Sequence, residues 1–193
     1  MTLELTAKAM DCPYDIDYAC SLVGTPLIKM GEDLCGEQRA EEFLNTYVDL
    51  NYRYAAEMIS LYDGMGTVLE DIKQHDIPMG IVTAKRLVAL KRNLDYLELN
   101  PYFSVLCTKE STAKFKPEPD PVLFAVKELN IEPRDAVMIG DTHYDLLSGK
   151  RAGAVTIGVT WGIDSREALK ELSNPDYIVD TPMELLACIK QLY

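Results

Sequence analysis

From Met79 to the end of the chain, five short apolar runs alternate with stretches of helical spacing, and few folds produce that order. The runs are Met79 to Thr83 (after Pro78), Phe103 to Cys107, Ala136 to Ile139, Val155 to Val159 and Tyr177 to Val179. Each is too short for a helix and is bounded by Gly, Pro or polar residues, so each reads as a buried strand. Helical stretches fall at about 65–75, 86–96, 120–130, 145–153, 165–173 and 182–192. Strands joined by helices pair in parallel, and a parallel sheet is covered by helices on both faces. The spacing therefore predicts an α/β domain over 63–193.

Residues 1–62 have a different character. No segment alternates like a strand, and Phe43, Leu44, Tyr47, Val48, Leu50, Tyr54, Met58 and Ile59 recur at helical spacing. Gly24-Thr25-Pro26 breaks one helix and can start another, with Thr25 as N-cap and Pro26 at the first helical position. The expectation is a small all-helical domain over 1–62, joined at Tyr62-Asp63-Gly64-Met65-Gly66 to the α/β domain.

In open α/β sheets, ligands bind outside the carboxyl ends of the strands. Three chemical features fall there. Val137-Met138-Ile139 runs into Gly140-Asp141-Thr142-His143-Tyr144-Asp145, which puts Asp141 at a strand end and Asp145 in the first turn of the next helix. Two carboxylates so placed suit Mg²⁺, a hard cation that takes oxygen ligands. A first-turn acid is also what the helix dipole favours. Met79-Gly80-Ile81-Val82 ends at Thr83-Ala84-Lys85, where a hydroxyl and the following backbone N–H groups can hold a phosphate oxygen. Lys116 precedes the proline-rich Pro117-Glu118-Pro119, which stiffens the loop that carries it. An ammonium there can neutralise a phosphate dianion.

Composition excludes several roles. A net charge of −12 without a long basic run argues against a nucleic-acid partner. No apolar stretch reaches the length of a membrane span. The five cysteines are scattered and form no Cys-x-x-Cys pair, so reduced thiols and a cytoplasmic setting are expected. Of the two histidines, neither His75 nor His143 is expected to be catalytic, and His143 reads as a solvated turn residue.

Together these segments resemble the haloacid dehalogenase-type phosphatase superfamily, in particular its phosphoglycolate phosphatase and β-phosphoglucomutase-like branch. The resemblance rests on Gly80 to Lys85, on Lys116-Pro117-Glu118-Pro119, on Gly140 to Asp145 with the trailing Ala152-Gly153-Ala154, and on the tail Gly158 to Gly162 followed by Pro175 to Asp180. It implies a Rossmann-like parallel core with a small helical cap, and Mg²⁺-dependent hydrolysis of a small phosphate monoester through an aspartyl-phosphate. Thr83, with Ala84, would bind a phosphate oxygen, and Lys116 would bind the phosphate and steady the nucleophile. Asp141 would bind Mg²⁺, with Asp145 supporting the metal directly or through a neighbour. Gly24-Thr25-Pro26-Leu27 resembles the cap segment that faces substrate.

One departure is large. The superfamily pattern begins with a central strand ending in Asp-x-Asp-Gly-Thr, whose first Asp is the nucleophile and whose second is the general acid/base; this sequence has no such motif. Asp15-Ile16-Asp17 is an Asp-x-Asp, but it follows Cys12-Pro13-Tyr14 rather than a strand. Without the nucleophile no covalent intermediate forms. The expectation is thus a phosphoglycolate-like phosphatase that is weak or inactive as the sequence stands. Either the missing motif is encoded upstream, or the chain is a non-catalytic member that binds phosphate, Mg²⁺ or a partner chain. Loss of a central strand leaves ladder groups unpaired on its neighbours, which favours pairing between chains, including a homodimer.

Overall fold

A computed structural model describes residues 2–16, 18, 26–54 and 59–192. The chain divides into two compact units, Met1–Ile59 and Ser60–Tyr193.

The first unit is helical, with α1 (Thr2–Ala9), α2 (Leu27–Cys35) and α3 (Ala40–Tyr54). Its core is Met10, Met30, Leu34 and the fully buried Phe43. Gly31 admits Phe43, whose ring carbon would stand 3.0 Å from a Cβ there. Pro26 is the N-cap of α2 rather than its first helical residue, and its carbonyl accepts from the N–H groups of Lys29 and Met30. Gly24 and Thr25 lie outside the described residues. Cys12 and Cys35 are joined in a disulfide, with Cα atoms 5.4 Å apart. This corrects the expectation of reduced thiols throughout: the end of α1 folds back onto the end of α2, a proximity that a separation of 23 residues does not reveal. Cys107 and Cys188 are free and buried.

The second unit alternates α4 (Met65–Gln74), β1 (Gly80–Val82), α5 (Leu87–Tyr96), β2 (Val105–Cys107), α6 (Asp120–Glu128), β3 (Val137–Gly140), α7 (His143–Ala152), β4 (Val155–Val159), α8 (Arg166–Ser173), β5 (Tyr177–Val179) and α9 (Pro182–Ile189). Every strand pair is parallel, as the alternation requires. The strands form two sheets, β1–β2 and β3–β4–β5. The break falls between β1 and β3, where the resemblance implied an absent strand.

Periodicity explains the packing. In α4, Val68 and Ile72 meet Ile157, Val159 and Val179, while Leu69 meets Leu90 and Leu94 of α5. Across the sheet, α6 sets Ala125 against Val105 and Cys107, and Val122 and Val126 against Ala154. Helix α7 starts at Thr142, whose hydroxyl accepts from the Asp145 N–H while the Asp145 carboxylate accepts from the Thr142 N–H. This reciprocal cap satisfies two otherwise orphaned donors. Helix α7 ends at Gly153, in the left-handed region with φ of 88°, as helix ends often require.

Candidate functional site

The site is built where β1, the loop before α6, and the β3–α7 turn converge. Lys116 sits at its centre, 18 % exposed, and its peptide bond to Pro117 is cis. Its Nζ donates to the Val82 carbonyl at 3.1 Å and to Asp145 Oδ1 at 2.5 Å. One ammonium thus joins the carboxyl end of β1 to the first turn of α7. Thr83 follows Val82 directly. Its hydroxyl accepts from the Lys85 N–H at 3.1 Å, which leaves the hydroxyl hydrogen to donate. Ala84 is exposed at the same turn. The structure therefore brings Thr83, Ala84, Lys116 and Asp145 to one strand edge.

The two carboxylates turn to different partners. Asp145 is buried, and its Oδ2 accepts from the Thr142 hydroxyl at 2.6 Å and N–H at 3.1 Å while Oδ1 holds Lys116. Its side chain lies against Gly140, where a Cβ would come within 2.2 Å of the Asp145 Cβ. Asp141 instead faces the loop after β4. Its Oδ2 accepts from the Ile163 N–H at 3.1 Å, and its carbonyl accepts from the Asp164 N–H at 3.0 Å. Gly162 is required there, since a Cβ would lie 2.2 Å from both Asp141 Cβ and Oδ2. Asp141 keeps an oxygen for a ligand, whereas both oxygens of Asp145 are committed to Lys116 and Thr142. Among the described residues no cluster of three or more acidic, histidine or cysteine side chains could cage a metal. Mg²⁺ is commonly held by one or two carboxylates together with waters and substrate phosphate, and a single free carboxylate at a strand end fits that mode.

Sequence reasoning missed Asp164. Its Oδ2 accepts from the backbone N–H of His143 at 2.7 Å and lies 2.7 Å from His143 Nδ1. His143 is therefore the first residue of α7, held by a carboxylate and in contact with the Tyr144 ring at 4.0 Å, not a solvated turn residue. No local motif marks this pairing, because its partners lie 21 residues apart. Cys107 ends β2 close by, but burial pushes its thiol up and outweighs the hydrogen bond to Ser111 and the charge of Lys116. It stays protonated near neutrality and is a poor nucleophile. Asp15, the other Asp-x-Asp candidate, is exposed in the helical unit and accepts from the Tyr18 N–H at 2.8 Å, as a helix-capping acid does. Asp17 lies outside the described residues.

A parallel α/β unit with hydroxyl, ammonium and carboxylate groups at its strand ends defines a class of phosphate-handling folds. The chain belongs to the haloacid dehalogenase-like hydrolase family, whose sequence model matches residues 2–159. It is 36 % identical over 156 residues to a candidate PpaX pyrophosphatase of Clostridium perfringens, covering 81 % of this chain and 72 % of that protein. It is 29 % identical, with the same coverage, to the pyrophosphatase PpaX of Bacillus cereus (strain ATCC 10987 / NRS 248). Among solved structures, a predicted phosphatase from Clostridium acetobutylicum superposes with a TM-score of 0.80 at 27 % identity, over 98 % of this chain and 89 % of that one. A candidate β-phosphoglucomutase from Thermotoga maritima superposes with a TM-score of 0.85 at 24 % identity, over 100 % and 90 % of the two chains, which shows the shared fold. No described helix is long and apolar enough to cross a membrane.

Proposed function

We propose that this chain carries the phosphate- and Mg²⁺-binding half of a phosphatase site for a small phosphorylated metabolite. The observation that carries this reading is Lys116, a largely buried ammonium held between the Val82 carbonyl and Asp145. A cation fixed at a strand end beside a free hydroxyl is preorganised for a phosphoryl oxygen and needs no reorganisation to meet it. Thr83 donates its hydroxyl and Ala84 its N–H to that oxygen. Asp145 orients Lys116 through their ion pair. Asp141 would hold Mg²⁺ through its carboxylate, whose direction is set by the Ile163 N–H and by the room that Gly162 leaves. When bound, the metal would supply charge neutralisation to the phosphate. The family resemblance assigns residues 1–62 the role of a cap that selects the substrate.

Residues 1–193 contain no Asp-x-Asp-Gly-Thr, and both oxygens of Asp145 are engaged by Lys116 and Thr142. Turnover by these residues alone is therefore weak, and ligand binding is the more direct readout. The substrate reading is a phosphoglycolate-like monoester. Pyrophosphate is a second reading, favoured by the names of the relatives.

Two measurements test this. Titration calorimetry with Mg²⁺ and inorganic phosphate should show binding of both, with metal binding lost in Asp141→Ala and phosphate binding lost in Lys116→Ala. Phosphate release from p-nitrophenyl phosphate, phosphoglycolate and pyrophosphate, each with and without Mg²⁺, should rank the substrates. Absence of heat for both ligands, together with identical behaviour of the two variants, would sink the reading.

A further inference from the structure

Two turns carry the groups assigned above. Residues 83–86, between β1 and α5, hold Thr83 and Ala84, and residues 141–142, between β3 and α7, hold Asp141. Each turn leads into a helix whose first N–H groups have no partner within the helix. Each is gripped from the side by the loop that follows the neighbouring parallel strand, β2 in one case and β4 in the other. The two grips share a pattern. After β2, the Lys109 N–H donates to the Lys85 carbonyl at 3.1 Å, and the Glu110 carboxylate accepts from the N–H of Leu87, two residues further on, at 3.1 Å. After β4, the Asp164 N–H donates to the Asp141 carbonyl at 3.0 Å, and the Asp164 carboxylate accepts from the N–H of His143, again two residues on, at 2.7 Å. Leu87 and His143 are the first residues of α5 and α7.

The two carboxylates are themselves held in place. Glu110 Oε2 also accepts from the hydroxyl of the buried Thr108 at 3.0 Å, while Oε1 pairs with Arg86 at 3.0 Å. Arg86 is the N-cap of α5 and its side chain accepts nothing from the helix, so Glu110 supplies the capping acceptor from another loop. Asp164 Oδ2 also meets His143 Nδ1 at 2.7 Å, and its side chain is 17 % exposed. The loop that carries Asp164 is fastened at both ends. The Thr160 N–H donates to the Val179 carbonyl and its hydroxyl to Asp180, while Ser165 caps α8. At their strand ends the turns are fixed as well, by the Thr83 N–H on the Cys107 carbonyl at 2.9 Å and by the pairing of Gly140 with Gly158. Thr83 and Ala84 in one turn, and Asp141 in the other, thus lie between two fixed points.

We propose that Glu110 and Asp164 are positioning residues for the site, Glu110 for the turn that binds phosphate and Asp164 for the turn that carries the metal ligand. Their role rests on the phosphate and Mg²⁺ reading and extends it to two residues outside the strand-end cluster. Groups that orient a metal ligand change metal affinity by about 10- to 100-fold when they are removed. The same logic holds for backbone donors, which bind an anion well only if the turn is already in place. The two grips share no residue, so each governs one ligand and not the other.

The test uses the full chain and its Asp164→Ala, Asp164→Asn, Glu110→Ala and Glu110→Gln variants. Titration calorimetry is run with Mg²⁺ and, separately, with inorganic phosphate, and amide hydrogen exchange is followed without either. Asp164→Ala should weaken Mg²⁺ binding by about tenfold or more and leave phosphate binding unchanged. Glu110→Ala should do the reverse. The His143 amide should lose its protection in the first variant and the Leu87 amide in the second. Asp164→Asn and Glu110→Gln keep an acceptor oxygen and should restore both the binding and the protection. If Asp164→Asn loses as much Mg²⁺ affinity as Asp164→Ala, charge and not position is the cause, and the proposal fails. It also fails if the alanine variants bind both ligands as the wild-type chain does, weaken both equally, or leave exchange at His143 and Leu87 unchanged. A wild-type chain that gives no heat with either ligand sinks the site reading and this role together. A wild-type chain that binds both, with variants that match it, sinks this role alone.

Discussion

At the scale of single residues, Lys116 and Asp145 depend on each other. Their side chains are 18 % and 9 % exposed, so solvent screens the pair little. Removing one partner of such a pair leaves the other charge poorly compensated. Lys116→Met is expected to lower stability by about 3 kcal/mol in urea unfolding. Lys116→Met combined with Asp145→Asn should recover most of that loss, because no charge is then left unpaired. Equal destabilisation in the single and double variants would show that Lys116 contributes only packing. Asp141 stands apart from this pair. Its carboxylate is held by a backbone N–H from the loop after β4 and a glycine that leaves it room. Its substitution should therefore change metal binding without touching the Lys116 pair.

At the scale of elements, Asp176 locks the β5 entry to β4. Its Oδ2 accepts from the Thr156 N–H at 2.8 Å and hydroxyl at 2.7 Å, and its own N–H donates to that hydroxyl at 3.1 Å. Burial pushes this carboxyl up, but the hydrogen bonds from Thr156 and the charge of Lys150 outweigh it and leave it below the usual range. A depressed carboxyl adds stability that is complete above its unfolded value, about 3.9, and that disappears as pH falls through the lower folded value. The stability gap between the wild-type chain and Asp176→Asn should then be constant from pH 7 to 5 and shrink as pH falls below about 4. A gap that does not change with pH would place the contribution in the amide-compatible hydrogen bonds alone. Lys150 of α7 donates to the Ser173 carbonyl at the end of α8, and Arg166 of α8 pairs with Asp180 just after β5.

At the scale of the whole molecule, the two units are stabilised differently. The second unit has a layered core drawn from both sheet faces. The first has one small cluster around Phe43, and the Cys12–Cys35 link closes a loop across it. Cross-linking residues 23 apart limits the unfolded chain and is worth about 3 kcal/mol by loop-closure entropy. Reduction, or Cys12→Ser, should lower the melting of the helical signal assigned to residues 1–59 and leave the second unit unchanged. Mass mapping under non-reducing conditions should recover a Cys12–Cys35 peptide pair. Failure to recover it would remove the link and the stability assigned to it.

The sequence by itself determined the alternation of strands and helices, the parallel sense of the sheet, the change of character near residue 60, and the presence of Thr83, Lys116, Asp141 and Asp145 at strand ends. These are local or periodic properties: strand length, helical spacing and flanking Gly or Pro report on the nearest few residues, and the α/β connection then dictates which ends share an edge. Tertiary structure alone decided what those groups do with one another. The four-residue spacing places Asp145 beside Asp141, yet the capping box of α7 turns its carboxylate to Thr142 and Lys116. Asp164 meets His143, and Cys12 meets Cys35, only after chain reversals that no local pattern encodes. Which strands pair, β1 with β2 and β4 with both β3 and β5, was likewise decided in space, because backbone hydrogen bonding depends on which strands become neighbours.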